Sequence, residues 1–96
     1  MRLNTDNGLS SKVKNKINGK EYLISTAKYP SGVWETAVFG KNFLGMVRIR
    51  KPVRVKTTLT FEDAEKEHSW CEIAVESLPK TEWENTLDKK FFYISS

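Results

Sequence analysis

Residues 21–39 read EYLISTAKYPSGVWETAVF, a pattern that is typical of a β-hairpin. Two runs rich in β-branched and aromatic residues lie on either side of Pro30, Ser31 and Gly32. A glycine at the end of a three-residue loop fits a type I turn that is closed by a left-handed residue. The stretch therefore predicts two antiparallel strands joined by a tight hairpin.

A second hairpin signal precedes this stretch. Asn18 and Gly19 stand between apolar residues such as Val13 and Tyr22, and Asn-Gly accepts positive φ at both positions of a two-residue turn. Residues 1–11 are polar and include Gly and Ser, so they predict a flexible N-terminal arm. The sheet is expected to start after that arm.

The stretch from 43 to 61, FLGMVRIRKPVRVKTTLTF, follows a third predicted turn at residues 40–42. Its apolar and basic residues alternate, which is typical of a strand with one apolar and one basic face. Pro52 cannot donate to a strand ladder, so it marks either a turn or an irregular edge. A hairpin with a loop at residues 50–52 and one long interrupted strand both remain open, and both keep the basic residues mostly on one side.

The helix prediction covers residues 61–78. Thr60 and Asp63 resemble a capping box, and acids in the first turn suit the helix dipole. Pro79 ends the helix near Leu78. Residues at three- and four-residue steps form one apolar stripe. These are Phe61, Ala64, His68, Cys71, Val75 and Leu78.

Together these elements predict an α+β fold, an antiparallel β-meander of four to five strands with one helix packed across it. The strands are expected over about 12–60 within a single domain, 12–96. The C-terminal segment, 80–96, is expected to form a helical turn around 83–87 and an extended stretch at 91–94.

Composition sets the class of protein. The chain has 96 residues, 39% of them hydrophobic, which suits one folded domain. A single cysteine, Cys71, excludes an intramolecular disulfide and favours a reducing compartment. The start of the sequence lacks an apolar stretch that could act as a signal peptide, and no stretch has the length of a membrane span. A soluble intracellular protein is expected.

Charge is divided between the two halves of the chain. Residues 1–56 hold twelve Lys or Arg against three acids, whereas residues 57–96 hold four Lys against nine acids. Surfaces of opposite potential select partners and set encounter rates. One acid-free run concentrates the positive charge on a predicted strand face, and Arg matches phosphate or carboxylate. The predicted partner- or anion-binding residues are Arg48, Arg50, Lys51, Arg54 and Lys56.

Two simpler explanations of this basic run stay open. The charges could protect a sheet edge against aggregation, or the acidic helix could neutralise them within the monomer. If the run binds a partner, an acidic protein or a small anionic ligand fits, and nucleic acid is the alternative.

Catalytic chemistry is not predicted. His68 and Cys71 lie one helical turn apart, but no motif supplies a third residue, so we expect a core cysteine beside a histidine at the edge of the core. No glycine-rich loop has the spacing of a phosphate cradle. The chain is therefore expected to be no enzyme, with no metal site and no cofactor.

Trp70 and Ile73 fall outside the apolar stripe on a helical wheel. Exposed together, they predict a second contact, either a homodimer interface or a surface that the C-terminal segment covers, within one chain or between two.

Two segments carry a family resemblance. Ser25–Phe39 and Thr58–His68 resemble small uncharacterised phage and prophage proteins that combine an STxxxPxGxYETMVF segment with a TxEEAxxGHE helix start. Here Glu67 replaces the usual Gly, and Ser69 replaces an acid. The resemblance implies a mobile-element origin and a small non-enzymatic fold in the cytoplasm of a bacterial host, where inhibition of a host factor or counter-defence is plausible.

Overall fold

The computed structural model describes residues 2–5, 8–40 and 52–84 of the chain, and describes side chains from residue 8 onward. Five strands form one antiparallel sheet in sequence order, and one helix packs across it. The strands are β1 (Arg2–Thr5), β2 (Gly8–Lys14), β3 (Glu21–Lys28), β4 (Trp34–Gly40) and β5 (Arg54–Thr58). Helix α1 spans Phe61–Ser77, and a short 3-10 helix follows at Lys80–Glu82. The predicted α+β meander with one helix is confirmed.

The hairpin of residues 21–39 forms as the sequence predicts. Lys28 pairs with Trp34 at the end of the β3–β4 ladder. The Gly32 amide donates to the carbonyl of Tyr29 at 2.9 Å, and Gly32 has φ 94°. A positive φ is easy only for glycine, so this residue fixes the turn.

A turn forms around Asn18 and Gly19, but the predicted two-residue turn with positive φ at both positions is wrong, because Asn18 does not have positive φ. Strand β2 ends at Lys14 and β3 begins at Glu21, and among the described residues only Gly19 and Gly32 have positive φ. The loop is longer than a two-residue turn because the Asn15 side chain is hydrogen-bonded to the C-terminal end of helix α1. Its amide nitrogen donates to the carbonyls of Val75 at 2.6 Å and Leu78 at 2.8 Å. These carbonyls have no partner inside the helix, so Asn15 caps it.

The predicted N-terminal arm is wrong for the described residues before 12, which lie in β1 and β2. Leu9 and Ser11 are buried. Gly8 lies so close to β3 that a Cβ atom there would stand 1.8 Å from the Thr26 carbonyl oxygen. The glycine that looked like a mark of flexibility instead permits close strand packing.

The core lies between the helix and the face formed by alternate residues of the strands. Ile24 and Val38 pair across β3 and β4 and are fully buried, and they pack against Cys71 and Val75 of the helix. Trp83, also fully buried, sets its ring edge-on to Tyr22 with centroids 5.0 Å apart. The chain after the helix thus returns to the core.

Helix α1 begins as predicted, with the Asp63 amide donating to the Thr60 hydroxyl at 3.2 Å. The stripe is confirmed for Ala64, His68, Cys71 and Val75, which are buried. Its two ends, Phe61 and Leu78, are about two-fifths exposed. The helix also buries Glu67, which hydrophobic spacing does not predict. No helix in the described part of the chain is long and apolar enough to cross a membrane.

Replacing Gly8 with alanine should lower the free energy of unfolding by about 2–3 kcal/mol, because the Thr26 backbone must move. Gly40 is the matched control, since among the described residues a Cβ there would meet the Tyr22 ring, at an ordinary contact distance of 3.8 Å. Chemical denaturation of both variants measures the difference. Equal stability of Gly8→Ala and the unmodified protein would contradict the packing described here.

Candidate functional site

Strand β5 carries the described part of the predicted basic run, and its orientation is opposite to the expected one. Arg54 lies opposite Val38 and Lys56 opposite Thr36, both on the sheet face that packs against the helix. Val55 lies on the other face and pairs with Ala37; both are buried. The prediction of an outward basic face is therefore wrong for Arg54 and Lys56.

The reason for this orientation is the carboxylate of Glu67. The Arg54 guanidinium donates to Glu67 Oε2 from Nε at 3.0 Å and from Nη2 at 2.9 Å. Both side chains are largely buried, with 16% and 9% exposed. A buried charge is tolerated when it is paired and hydrogen-bonded. Intramolecular neutralisation, one of the two simpler explanations, thus applies to Arg54.

Arg54 also connects two tryptophans. Its Nη1 atom donates to the Trp83 carbonyl at 3.2 Å. Its guanidinium carbon lies 4.4 Å from the centroid of the Trp70 ring, a distance typical of a cation–π contact. Arg54 therefore fixes the start of the C-terminal segment against helix α1.

Lys56 keeps more freedom. Its Nζ atom lies 3.9 Å from Glu67 Oε1, and its side chain is 55% exposed. At that distance and exposure the ion pair is weak. The three other predicted residues, Arg48, Arg50 and Lys51, and the predicted turns at 40–42 and 50–52, lie wholly or largely outside the described residues.

His68 is the centre of a polar cluster between the helix and the sheet. It is fully buried. Its Nδ1 atom lies 2.7 Å from the Thr26 hydroxyl, which lies 2.8 Å from the Thr36 hydroxyl. Its Nε2 atom lies 2.8 Å from the Ser11 hydroxyl. The histidine predicted at the edge of the core is thus inside it and contacts β2 and β3 directly.

The direction of the hydrogen bonds in this cluster follows from counting protons. Ser11 Oγ donates to Glu72 Oε2 at 2.5 Å, and a hydroxyl has one proton to donate. With that proton directed to Glu72, the His68 tautomer that completes the bond to Ser11 carries its hydrogen on Nε2. A serine nucleophile needs the reverse, since its histidine accepts the hydroxyl proton. The Ser11–His68 hydrogen bond therefore joins the helix to strand β2 and does not have the direction of a nucleophile–base pair.

Cys71 is likewise unsuited to nucleophilic chemistry. Burial, followed by the nearby Glu67 carboxylate, raises the pKa of its thiol from 9.0 to about 12. Its Sγ atom lies 3.4 Å from Glu67 Oε2, to which the thiol donates. A reactive cysteine needs a lowered pKa and access to solvent.

Trp70 and Ile73 are at the surface, as the helical wheel predicts. Trp70 is 43% exposed and Ile73 is 69% exposed. Most of the C-terminal segment, residues 85–96, lies outside the described residues, so an oligomer interface at Trp70 and Ile73 stays a prediction. Within the part of the chain that the structure describes, no three His, Cys, Asp or Glu side chains are grouped to hold a metal ion.

Sequence reasoning missed the polar residues that face the helix. Thr26 and Thr36 pair across two strands and are almost completely buried. The one available signal was their position, since each lies two residues from a buried apolar residue of its own strand, Ile24 or Val38.

Comparisons with known proteins give no match: neither the family models, nor the curated proteins, nor the solved structures contain a significant relative of this chain.

Substituting Arg54 with leucine should lower the free energy of unfolding by about 3 kcal/mol or more, because Glu67 would keep a buried charge without its main partner. Lys56→Leu is the control and should change it by less than about 1 kcal/mol. Urea denaturation at neutral pH compares the two. Similar losses in both variants would show that Arg54 is not the principal partner.

Cys71 should resist alkylation in the native protein. Near pH 8, a thiol with a pKa of about 12 is ionised on the order of one part in ten thousand. Iodoacetamide labelling followed by mass spectrometry measures this, with the urea-unfolded protein as control. Rapid labelling of the folded protein would contradict the assignment.

The raised pKa of Cys71 also makes the free energy of unfolding depend on pH. The thiol of the unfolded chain has a pKa near 9.0, so the contribution of Cys71 to stability is complete below that pH and is lost as pH rises toward 12.

Proposed function

We propose that this chain is a small non-catalytic binding protein of phage or mobile-element type. It engages an acidic host protein or a small anionic ligand through Arg48, Arg50, Lys51 and Lys56, whereas Arg54 is held by Glu67. It acts in the cytoplasm of a bacterial host, where it inhibits a host factor or counters a defence system. That biological setting rests on the resemblance of Ser25–Phe39 and Thr58–His68 to phage and prophage proteins.

The observation that supports the binding role is an excess of positive charge. The run from Arg48 to Lys56 holds five cations and no acid. Glu67 is shared between Arg54 and Lys56, at 2.9 and 3.9 Å. One carboxylate cannot balance two cations, and the more exposed of the two, Lys56, keeps most of its charge available to a partner.

The internal use of His68 and Cys71 supports the non-catalytic part of the proposal. Both side chains are fully buried, and each is hydrogen-bonded to other residues of the core. The same residues could serve catalysis only if the core opened.

One observation favours the alternative, a nucleic-acid-binding module that uses the same basic residues. Trp70 is exposed and lies against Arg54, so an aromatic ring is adjacent to the basic strand. Aromatic rings beside cations are typical of surfaces on which unpaired bases stack.

The proposal also includes a homodimer formed through Trp70 and Ile73. The two residues are one helical turn apart and both exposed, which makes a small apolar patch on α1. Self-association would double the number of basic surfaces in one particle.

The test is affinity purification from host extract with the triple variant Arg48→Ser, Arg50→Ser and Lys51→Ser. Arg54 is left in place because of its structural role. Partners retained by the unmodified protein should be lost, since the basic run supplies the attraction. Mass spectrometry identifies retained proteins and any small molecules released on denaturation.

The matched control removes the same charge elsewhere, at the exposed residues Lys28, Lys66 and Lys80. It should retain the partner. Equal retention by the triple variant and the unmodified protein would refute the proposed site. Recovery of nucleic acid in place of protein or a small ligand would favour the alternative.

A further inference from the structure

A second basic surface lies on the hairpin formed by β2 and β3. Four lysines occur between residues 12 and 20 with no acid among them, and all four are exposed. We call Lys12, Lys14, Lys16 and Lys20 the lysine hairpin. Glu21 pairs with Lys14 across the ladder, and the backbone carbonyl of Glu76 at the helix end accepts from the Lys16 amide.

The loop of the lysine hairpin is fixed before any partner binds. Asn15 is fully buried, and its side chain joins the loop to the end of helix α1. Its Oδ1 atom accepts from the amides of Ile17 at 2.8 Å and Asn18 at 2.9 Å. A surface held in one conformation loses little entropy when a ligand binds.

Two of the lysines are neighbours on one face of strand β2, and the other two lie in the loop that follows it. Val13 packs toward the core, so its neighbours Lys12 and Lys14 lie on the sheet face away from the helix. Residues two apart on a strand are about 6.7 Å from each other. Lys16 and Lys20 extend the positive charge into the loop. A set of separated cations suits a polyanion with regularly spaced charges, whereas a single small anion needs donors that converge on one point.

Ile17 adds an apolar contact at the loop. It is 60% exposed, between Lys16 and Asn18. Proteins that bind the minor groove of DNA commonly place an apolar side chain against base steps while cations contact the backbone.

Two other polyanions fit less well. Single-stranded nucleic acid is bound through aromatic side chains, and the aromatic residue of the two strands, Tyr22, is 3% exposed. An anionic membrane surface calls for a broad apolar face besides the cations, and Ile17 is one residue.

We propose that the lysine hairpin binds double-stranded DNA, with its lysines on backbone phosphates and Ile17 in the minor groove. Binding by phosphate contacts has no sequence preference. This activity goes beyond the proposed function and uses different residues, so the Arg48, Arg50 and Lys51 variant does not test it.

The experiment is fluorescence anisotropy with a labelled, mixed-sequence DNA duplex at salt concentrations from about 50 to 200 mM. The logarithm of the association constant should fall with the logarithm of salt concentration by about 0.9 for each phosphate neutralised. The double variant Lys12→Gln and Lys14→Gln should flatten this slope by about 1.8. Ile17→Ser should weaken binding and leave the slope unchanged.

The control variant, Lys28→Gln with Lys66→Gln, has the same net charge as the double variant and should keep the slope of the unmodified protein. Circular dichroism of all variants verifies folding. The proposal is overturned by absence of duplex binding at the lowest salt, or by equal flattening in the control. It is also overturned if the same strand unpaired, or vesicles containing phosphatidylserine, bind more tightly than the duplex.

Discussion

Two hydrogen bonds made by the His68 ring determine where the helix packs on the sheet. One ring nitrogen is hydrogen-bonded to Ser11 in β2, and the other is hydrogen-bonded to Thr26 in β3. The Thr26 hydroxyl is in turn hydrogen-bonded to the Thr36 hydroxyl in β4. A fully buried imidazole without partners would cost several kcal/mol. The helix can therefore pack only where both nitrogens are satisfied, and this condition selects one position of α1 over three strands.

Two further polar contacts complete this placement. Glu67 precedes His68 in the helix and binds Arg54 of β5, and Asn15 holds the far end of the helix through Val75 and Leu78. The helix is thus fixed at its centre and at its C-terminal end by polar groups, while Ile24, Val38 and Val75 supply apolar burial. Apolar burial is non-directional, so polar contacts of this kind make a single packing arrangement preferred.

Hydrophobic spacing and turn chemistry predict much of this fold. They locate the hairpin closed by Gly32, the helix capped by Thr60 and the outward position of Trp70, because each depends on residues close in sequence. They fail where a polar residue faces inward. Periodicity assigns Arg54 to an outer basic face because it treats every charge as solvated and does not detect the partner Glu67, 13 positions away. For the candidate basic site, the sequence therefore predicts that positive charge is present, but not on which face of the sheet the side chains lie.

Gly8 limits the registers in which strand β2 can pair with strand β3. Its backbone lies where a side chain would collide with the carbonyl of Thr26, and the neighbouring described residue, Leu9, is large. If β2 shifted by one position against β3, Leu9 could take the place of Gly8, and the collision would exclude that pairing. A one-residue slip would also exchange the two faces of the strand, moving Lys12 inward and Ser11 outward. The size difference between Gly8 and Leu9 thus acts against misfolding, because the close approach of the two strands accepts glycine and rejects leucine at this place.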